Sequence, residues 1–329
     1  MTPLAAQGAV PGPGIPVALA TVRAARARIA PHVHRTPVMT CRSLDEAAGA
    51  RLYFKCENFQ KVGAFKARGA VNAVFSLDDE EARRGVVTHS SGNHGAALAY
   101  AAGRRGIPAW IVMPDNAPAI KQANVRGFGG VIRFCAPTVA AREAACAAVQ
   151  AETGATLVHP YNDWRVIAGQ GTAALELLEE VPDLDLVVAP CGGGGLLSGT
   201  AIVAKAMQPG VLVFGAEPAG ADDACRSLAA GHIVPQDDPR TIADGLRTSL
   251  GEKTFAVLSR LADGIGTASE AAIVRAMRTT WERMKIVIEP SSAVPLACLL
   301  EGTIPAGGAR VGVVLSGGNV DLDHLPWQA

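Results

Sequence analysis

The chain has 329 residues, 49% of them hydrophobic and only 5% aromatic, with 36 glycines and 21 prolines. That length supports a sizeable core in one large domain or two lobes, and the composition excludes a disordered or disulfide-stapled protein. Thirty basic and thirty acidic residues cancel, so no overall field draws the chain to nucleic acid or an anionic membrane, and small-molecule chemistry is favoured.

The opening stretch "TPLAAQGAVPGPGIP" reads as a flexible leader, without the basic flank, apolar core and cleavage site of a signal peptide. No apolar run approaches the roughly 20 residues of a membrane span. Seven scattered cysteines with no CxxC pair read as reduced thiols, most of them core residues, so a cytoplasmic address is expected. The first helical pattern covers Val17 to Ala30. Short β-type runs then follow as "LYFKCE", "VVTHS", "AWIVMP", "VIRFC", "LDLVVAP", "VLVFGAE" and "VGVVLSGG". They alternate with alanine-rich helical segments such as Ala96 to Arg105 and Ala140 to Glu152. Such alternation predicts an α/β fold of βαβ units and parallel sheets, with the active cleft at the carboxyl edges of the strands.

Five stretches could carry chemistry, and each has a plainer reading beside it. In "NFQKVGAFKARGA", Lys66 enters a helix running from Ala67 to Phe75. A lysine just inside a helix N-terminus opposes the dipole, and partial burial further favours the neutral amine that a Schiff base requires. An isolated lysine is otherwise a solvated helix residue. "THSSGNHGAA", from Thr88 to Ala97, is either a helix N-cap with a glycine turn or a cluster of free N–H groups suited to a carboxylate or phosphate. "CGGGGLLSGTA" opens a helix after "LDLVVAP"; Gly192, Gly193, Gly194 and Gly195 form either a flexible turn or a phosphate cup. This run fits neither the GxGxxG nor the GxxxxGKS/T pattern. Ser316 ends the last strand run, as a turn serine or as a neutral hydrogen-bond partner for a ring nitrogen. Glu217, Asp222 and Asp223 are either solvated surface or oxygen ligands suited to Mg²⁺ or Ca²⁺.

Taken together and in this order, "GAFKARGA", "SSGNHG", the tetraglycine and "SGGN" resemble the fold-type II pyridoxal-phosphate enzymes. Within them the chain is similar to the serine racemase and serine/threonine dehydratase group, which includes threo-3-hydroxyaspartate ammonia-lyases. The resemblance runs from about Val22 to Leu322 and takes in "KCENFQK", "VIAGQGT", "IADGLRTSLG" and "WERMKIVIEPSSAV". It implies a two-lobed fold like the tryptophan synthase β chain, with helix-flanked parallel and mixed sheets and the cofactor in the interlobe cleft. Residues 1–84 and 163–329 would form the large cofactor-binding domain, and residues 85–162 a small mobile one.

The same resemblance implies a role for each matching residue. Lys66 would bear the cofactor and take the Cα proton, with Phe65 beside the pyridine ring. Gly192, Gly193, Gly194, Gly195 and Leu196 would hold the phosphate, Ser316 the pyridine nitrogen and Asn93 the ring hydroxyl. Ser90, Asn93 and His94 would bind the substrate carboxylate. Ser91, on the opposite face from Lys66, would be the second proton donor that racemisation needs. Glu217, the carbonyl of Ala221 and Asp223 would bind Mg²⁺ or another divalent cation. Arg142 stands where the family places a mobile substrate-facing arginine, and reads equally as a solvated helix residue.

There are departures from the family pattern. "VGAFK" replaces the commoner "TGSFK", and Ala96 and Tyr161 stand where ATP-responsive animal racemases resemble Gln and Asn, so ATP regulation is not expected. Too few residues follow "SGGNVDL" for the regulatory domain of biosynthetic threonine deaminases, and isoleucine feedback is not expected either. The reading is therefore a homodimeric dehydratase that eliminates water from L-serine, L-threonine or L-threo-3-hydroxyaspartate to give a keto acid and ammonia. Serine racemisation, which shares the first carbanion, is the alternative. A sulfhydrylase-type synthase and a pyridoxal-phosphate-binding protein without turnover are the other readings. Sulfide incorporation would identify the first, and release of keto acid would exclude the second.

Overall fold

The computed structural model describes residues 14–90, 92–117 and 119–328. Among these residues, ten strands form two sheets. In chain order they are β1 (Val38–Met39), β2 (Arg51–Cys56), β3 (Val86–His89), β4 (Ala109–Pro114), β5 (Val131–Cys135), β6 (Thr156–Leu157), β7 (Leu186–Pro190), β8 (Leu212–Pro218), β9 (Gly264–Ala268) and β10 (Arg310–Leu315). The larger sheet runs β1-β2-β10-β7-β8-β9 and the smaller β5-β4-β3-β6. Every pairing is parallel except β1 with β2. The chain thus has the α/β fold with helix-flanked parallel and mixed sheets that its alternating pattern predicts. The smaller sheet draws only on residues 86–157, a stretch inserted between the strands of the larger one.

Helix cover explains the strand compositions. All five residues of β7 are buried, because helices on both faces of a parallel sheet demand a continuous apolar run. Left-handed glycines stop the intervening helices at Gly49, Gly106, Gly154, Gly231 and Gly302. β1, β6 and β9 escape the sequence reading. The first two are two-residue strands, and β9, "GIGTA", carries two glycines and no apolar alternation.

One helix, Lys66–Phe75, matters most for the site. It packs between Asn93–Arg105 and Trp164–Glu180, and its residues from Ala67 to Val74 are all buried. Contact with Trp164–Glu180 is close enough that a Cβ on Gly169 would lie 2.6 Å from the Arg68 carbonyl oxygen.

Charge, as well as apolar packing, pins this helix. The Arg68 guanidinium is fully buried and donates to both Glu57 oxygens, at 2.7 and 2.8 Å, and to both Glu176 oxygens, each at 2.8 Å. Glu176 also accepts from Lys55 Nζ at 2.6 Å, and Lys55 donates again to the Thr36 carbonyl at 2.6 Å. Two cations and two carboxylates therefore cancel inside the protein, joining β2, the turn after it and two helices. Removing Arg68 leaves the buried Glu57 carboxylate without its ion-pair partner, which typically costs about 3–5 kcal/mol. Arg68→Met should lower unfolding free energy by about that amount in urea titrations, whereas a loss under about 1 kcal/mol would show that the network is dispensable.

Candidate active site

Lys66 opens its helix, with Phe65 at the N-cap. The Phe65 amide donates to the Ser316 carbonyl at 2.9 Å, and Ala64 bridges Gly317, so the lysine turn is tied to the carboxyl end of β10. Lys66 Nζ donates to the Pro160 carbonyl at 2.8 Å and lies 5.1 Å from the centre of the Phe65 ring. Burial pulls its pKa down to about 8, with the Glu289 charge opposing the shift. A substantial neutral fraction exists near that pH, as a nucleophile or base requires.

Gly192 to Gly195 lie between β7 and helix Gly195–Met207, whose N-cap, Gly194, has φ +83°. A Cβ on Gly193 would meet the Tyr161 ring at 2.3 Å, and one on Gly192 would meet the Gly245 carbonyl at 3.0 Å. The cup is therefore bare backbone, with the first amides of the helix, through Leu196, left without intrahelical acceptors. Such a cradle suits a phosphate.

Ser316 is buried at the end of β10. Its Oγ lies 3.2 Å from Ser292 Oγ. Ser292 already donates to the Gly317 carbonyl at 2.6 Å and accepts from the Gly317 amide at 2.7 Å. With the one Ser292 proton committed to Gly317, the Ser316 hydroxyl keeps its own proton, free to point at Ser292 or at another acceptor beside it.

Across the cleft, Ser90 ends the β3 segment and its Oγ accepts from the Gly92 amide at 3.2 Å. Ser91 lies outside the described residues. Asn93 and His94 are the first two residues of helix Asn93–Arg105. His94 Nε2 contacts the Val158 carbonyl at 3.1 Å, which can only accept, so that nitrogen carries the proton. Nδ1 is buried without a partner, and burial, reinforced by Lys66, holds the ring pKa well below the ordinary histidine value. The neutral ring thus presents a lone pair, which a carboxylate repels, and the His94 group able to donate to a carboxylate is its backbone N–H.

Glu217, at the end of β8, accepts from the Ala224 and Cys225 amides at 3.0 and 2.8 Å. Asp223 accepts from the Leu250 amide at 3.1 Å through one oxygen, and its other oxygen is buried and unpartnered. Burial raises the Asp223 pKa to about 6; burial and the Asp223 charge raise that of Glu217. Two costly buried carboxylates with an orphaned oxygen fit a hard divalent cation, for which the Ala221 carbonyl would be a third oxygen ligand. Asp222 differs: it pairs with Arg226 at 2.7 Å on the surface. Arg142 is partly exposed and its Nε donates to the Thr138 carbonyl at the start of its own helix at 3.3 Å; its charge also acts on His89 and Tyr161.

Several groups here were not read from the sequence. Glu289 and Asn319 hold Asn93, Ser292 holds Ser316, and the Pro160 carbonyl holds Lys66. Glu289, Ser292 and Asn319 sit inside the quoted "IEPSSAV" and "SGGN" stretches, so their signal was present without an assigned chemistry. A backbone carbonyl leaves no such trace.

A buried lysine with a depressed pKa, a bare glycine cradle at a helix N-terminus and a buried serine at a strand end are features that a pyridoxal-phosphate site requires. Residues 29–317 match the family of pyridoxal-phosphate dependent enzymes, and the chain belongs to that family. It is 56% identical to a β-hydroxyaspartate dehydratase of Paracoccus denitrificans over 304 residues, covering 92% of this chain and 96% of the relative. It is 51% identical to a serine racemase of Oryza sativa subsp. indica over 314 residues, covering 94% and 92% respectively. The solved structure of maize serine racemase superposes with a TM-score of 0.91 at 50% identity, covering 93% of this chain and 95% of that one.

The glycine cup yields a direct test. Gly193→Ala should weaken pyridoxal-phosphate binding at least about tenfold by equilibrium dialysis, because its Cβ must displace Tyr161. Gly210→Ala, with open space around it, should bind as the wild type does. Equal binding by both variants would contradict the cup assignment.

Proposed function

We propose that this enzyme is an ammonia-lyase that eliminates water from small β-hydroxy-L-amino acids, with 3-hydroxyaspartate its preferred substrate. The observation that carries the reading is the buried Lys66 amine, its pKa lowered to about 8, in a chain 56% identical to a β-hydroxyaspartate dehydratase.

Bound pyridoxal phosphate supplies the electron sink for the pair left at Cα. Lys66 would carry the cofactor, and its Nζ would take the Cα proton. Gly192 to Leu196 hold the phosphate, Ser316 faces the pyridine nitrogen with a neutral hydroxyl, and Phe65 lies beside the ring. The Ser90 hydroxyl and the Asn93 and His94 amides orient the α-carboxylate at the helix N-terminus. Hydroxide leaves Cβ as the Cα–Cβ double bond forms, and the released enamine hydrolyses to a keto acid and ammonia. Arg142 binds the second carboxylate of 3-hydroxyaspartate by charge-assisted hydrogen bonds. Racemisation is the second reading, favoured by the 51% identity to a serine racemase; Ser91 would then be the second proton donor that the family resemblance implies.

Glu217, Asp223 and the Ala221 carbonyl are proposed to hold Mg²⁺ or a similar cation. Residues 85–162, which carry the smaller sheet, are proposed as the lobe that moves on substrate binding. The enzyme is proposed to be a homodimer, on resemblance to its family. Seven free thiols support a reducing, cytoplasmic setting, and no helix among the described residues is long and apolar enough to cross a membrane.

Three outcomes test this account. Lys66→Ala should abolish both turnover and borohydride-trapped cofactor, and retained turnover would remove Lys66 from the chemistry. Arg142→Met should raise KM for 3-hydroxyaspartate about tenfold or more while leaving KM for L-serine within about twofold; equal changes would make Arg142 a surface residue. For the cation site the sign follows from the raised carboxyl pKa values. Without cation, stability falls as pH rises through about 6, where Asp223 ionises. Mg²⁺ should therefore raise Tm more at about pH 7.5 than at about pH 5, and Asp223→Asn should erase the difference. An equal shift at both pH values would argue against these ligands.

A further inference from the structure

Glu289 is a buried carboxylate, 4% exposed, whose contacts all lead to the cofactor cleft. It precedes helix Pro290–Glu301 but does not cap it with its side chain. Both of its oxygens accept from Asn93 Nδ2, at 3.0 and 3.1 Å, and one also accepts from the Asn319 amide at 3.3 Å. Asn93 Oδ1 in turn accepts from Asn319 Nδ2 at 2.9 Å, and Asn319 Nδ2 donates also to the Val62 carbonyl at 2.8 Å. The Glu289 amide donates to the Gly317 carbonyl at 3.0 Å. A Cβ on Gly317 would lie 2.7 Å from Glu289 Oε1, so the space that admits the carboxylate exists only beside a glycine.

These bonds settle the orientation of the Asn93 amide. Its oxygen faces a donor and its nitrogen faces a carboxylate, and the reverse arrangement would set oxygen against oxygen and N–H against N–H. The two contacts to Glu289 share one Nδ2 hydrogen, which leaves the second free. They also join the first turn of a helix beside the smaller sheet to the N-cap of a helix beside the larger one.

We propose that Glu289 is a positioning residue for the cofactor: by accepting one Asn93 hydrogen, it commits the other to the phenolic oxygen of the pyridoxal ring. The proposal rests on the reading of Asn93 as the ring-hydroxyl contact. It assigns Glu289 a role the sequence reading did not give it. Because a carboxylate polarises the amide it accepts from, the Asn93 hydrogen becomes a stronger donor, and the ring oxygen is held in its anionic form.

Titration supports the geometry. Burial and the Asp244 charge raise the Glu289 pKa to about 7, while the Asn93 bond and the Lys121 charge oppose the shift. The charged groups facing it are Asp244 in the turn Asp244–Leu246, Lys121 in the helix Ala119–Gly127 and Lys66, whose own pKa the Glu289 charge raises. Lys121 and Asp244 pair with each other, which leaves Glu289 as the group whose ionisation reaches Asn93 directly. Below its pKa the protonated carboxyl becomes a donor, and its hold on the Asn93 nitrogen weakens.

The test uses full-length enzyme loaded with pyridoxal phosphate and reads absorbance and affinity rather than turnover. Glu289→Gln keeps the shape and removes the charge. It should shift the absorbance maximum of the Lys66-bound cofactor, remove the wild-type absorbance step near neutral pH and weaken cofactor binding about tenfold. Glu289→Asp should restore the pH step. Unchanged affinity and spectrum in Glu289→Gln would overturn the proposal. Weaker binding with an unshifted spectrum would do so too, because that is the signature of a merely structural residue. Borohydride trapping on Lys66 separates the two levels: trapping in wild type with no spectral change in the variant sinks only the Glu289 role, and no trapping in wild type overturns the cofactor site along with it. Should Glu289→Gln fail to fold, Asn319→Ala, which removes the donor to Asn93 Oδ1, should give the same spectral shift in a surface-accessible position, and an unshifted spectrum there would count against the proposal equally.

Discussion

The Arg68 guanidinium, held by four hydrogen bonds to two buried carboxylates, is the constraint on which the site depends. Lys66 is two residues before it at the start of the same helix. A helix sliding or rotating by a fraction of a turn would break those bonds and move the lysine away from the Pro160 carbonyl. An apolar helix face tolerates small slips, because dispersion is non-directional. Bidentate charge pairs have fixed geometry, and in a low-dielectric interior they are costly to break. The network therefore fixes the reacting amine from behind, while the bonds from Phe65 to Ser316 and from Ala64 to Gly317 fix it from the side.

Around this anchor the site is built largely from backbone. The phosphate cup is glycine because Tyr161 and Gly245 occupy the space that side chains would need. The helix beginning at Asn93 presents its first amides, and not the His94 ring, whose proton is committed to Val158, as the donors an anion would meet. Neutral hydroxyls stand at Ser316 and Ser292, so no charge would be imposed on a ring nitrogen placed there. Burial brings Lys66 down to about 8 and Glu289 up to about 7, so both change charge close to neutral pH.

Much of this was legible in the sequence, for physical reasons. Seven strand runs were visible because most are buried, apolar stretches, β5 being the largely exposed exception, and the lysine, glycine and serine motifs are local in the chain. β1 and β6 were not, since two residues carry no pattern. The contact between Asn93 and Glu289 spans 196 positions, and that between Arg68 and Glu176 spans 108; no local periodicity encodes either. The lysine's own partner is a carbonyl, which any residue would supply. The His94 ring illustrates a different gap: its presence was readable, but which nitrogen holds the proton depends on Val158, 64 positions away.

The central claim is that Lys66 removes the Cα proton and that the electron pair then expels a β-hydroxyl. The most direct measurement follows keto acid and enantiomer together from L-serine, D-serine, L-threonine and both diastereomers of 3-hydroxy-L-aspartate, with Mg²⁺ present. Keto acid should dominate, and a 3-hydroxyaspartate should be turned over with the highest kcat/KM. Enantiomer as the dominant product, with little keto acid from any substrate, would contradict the account and make the enzyme a racemase.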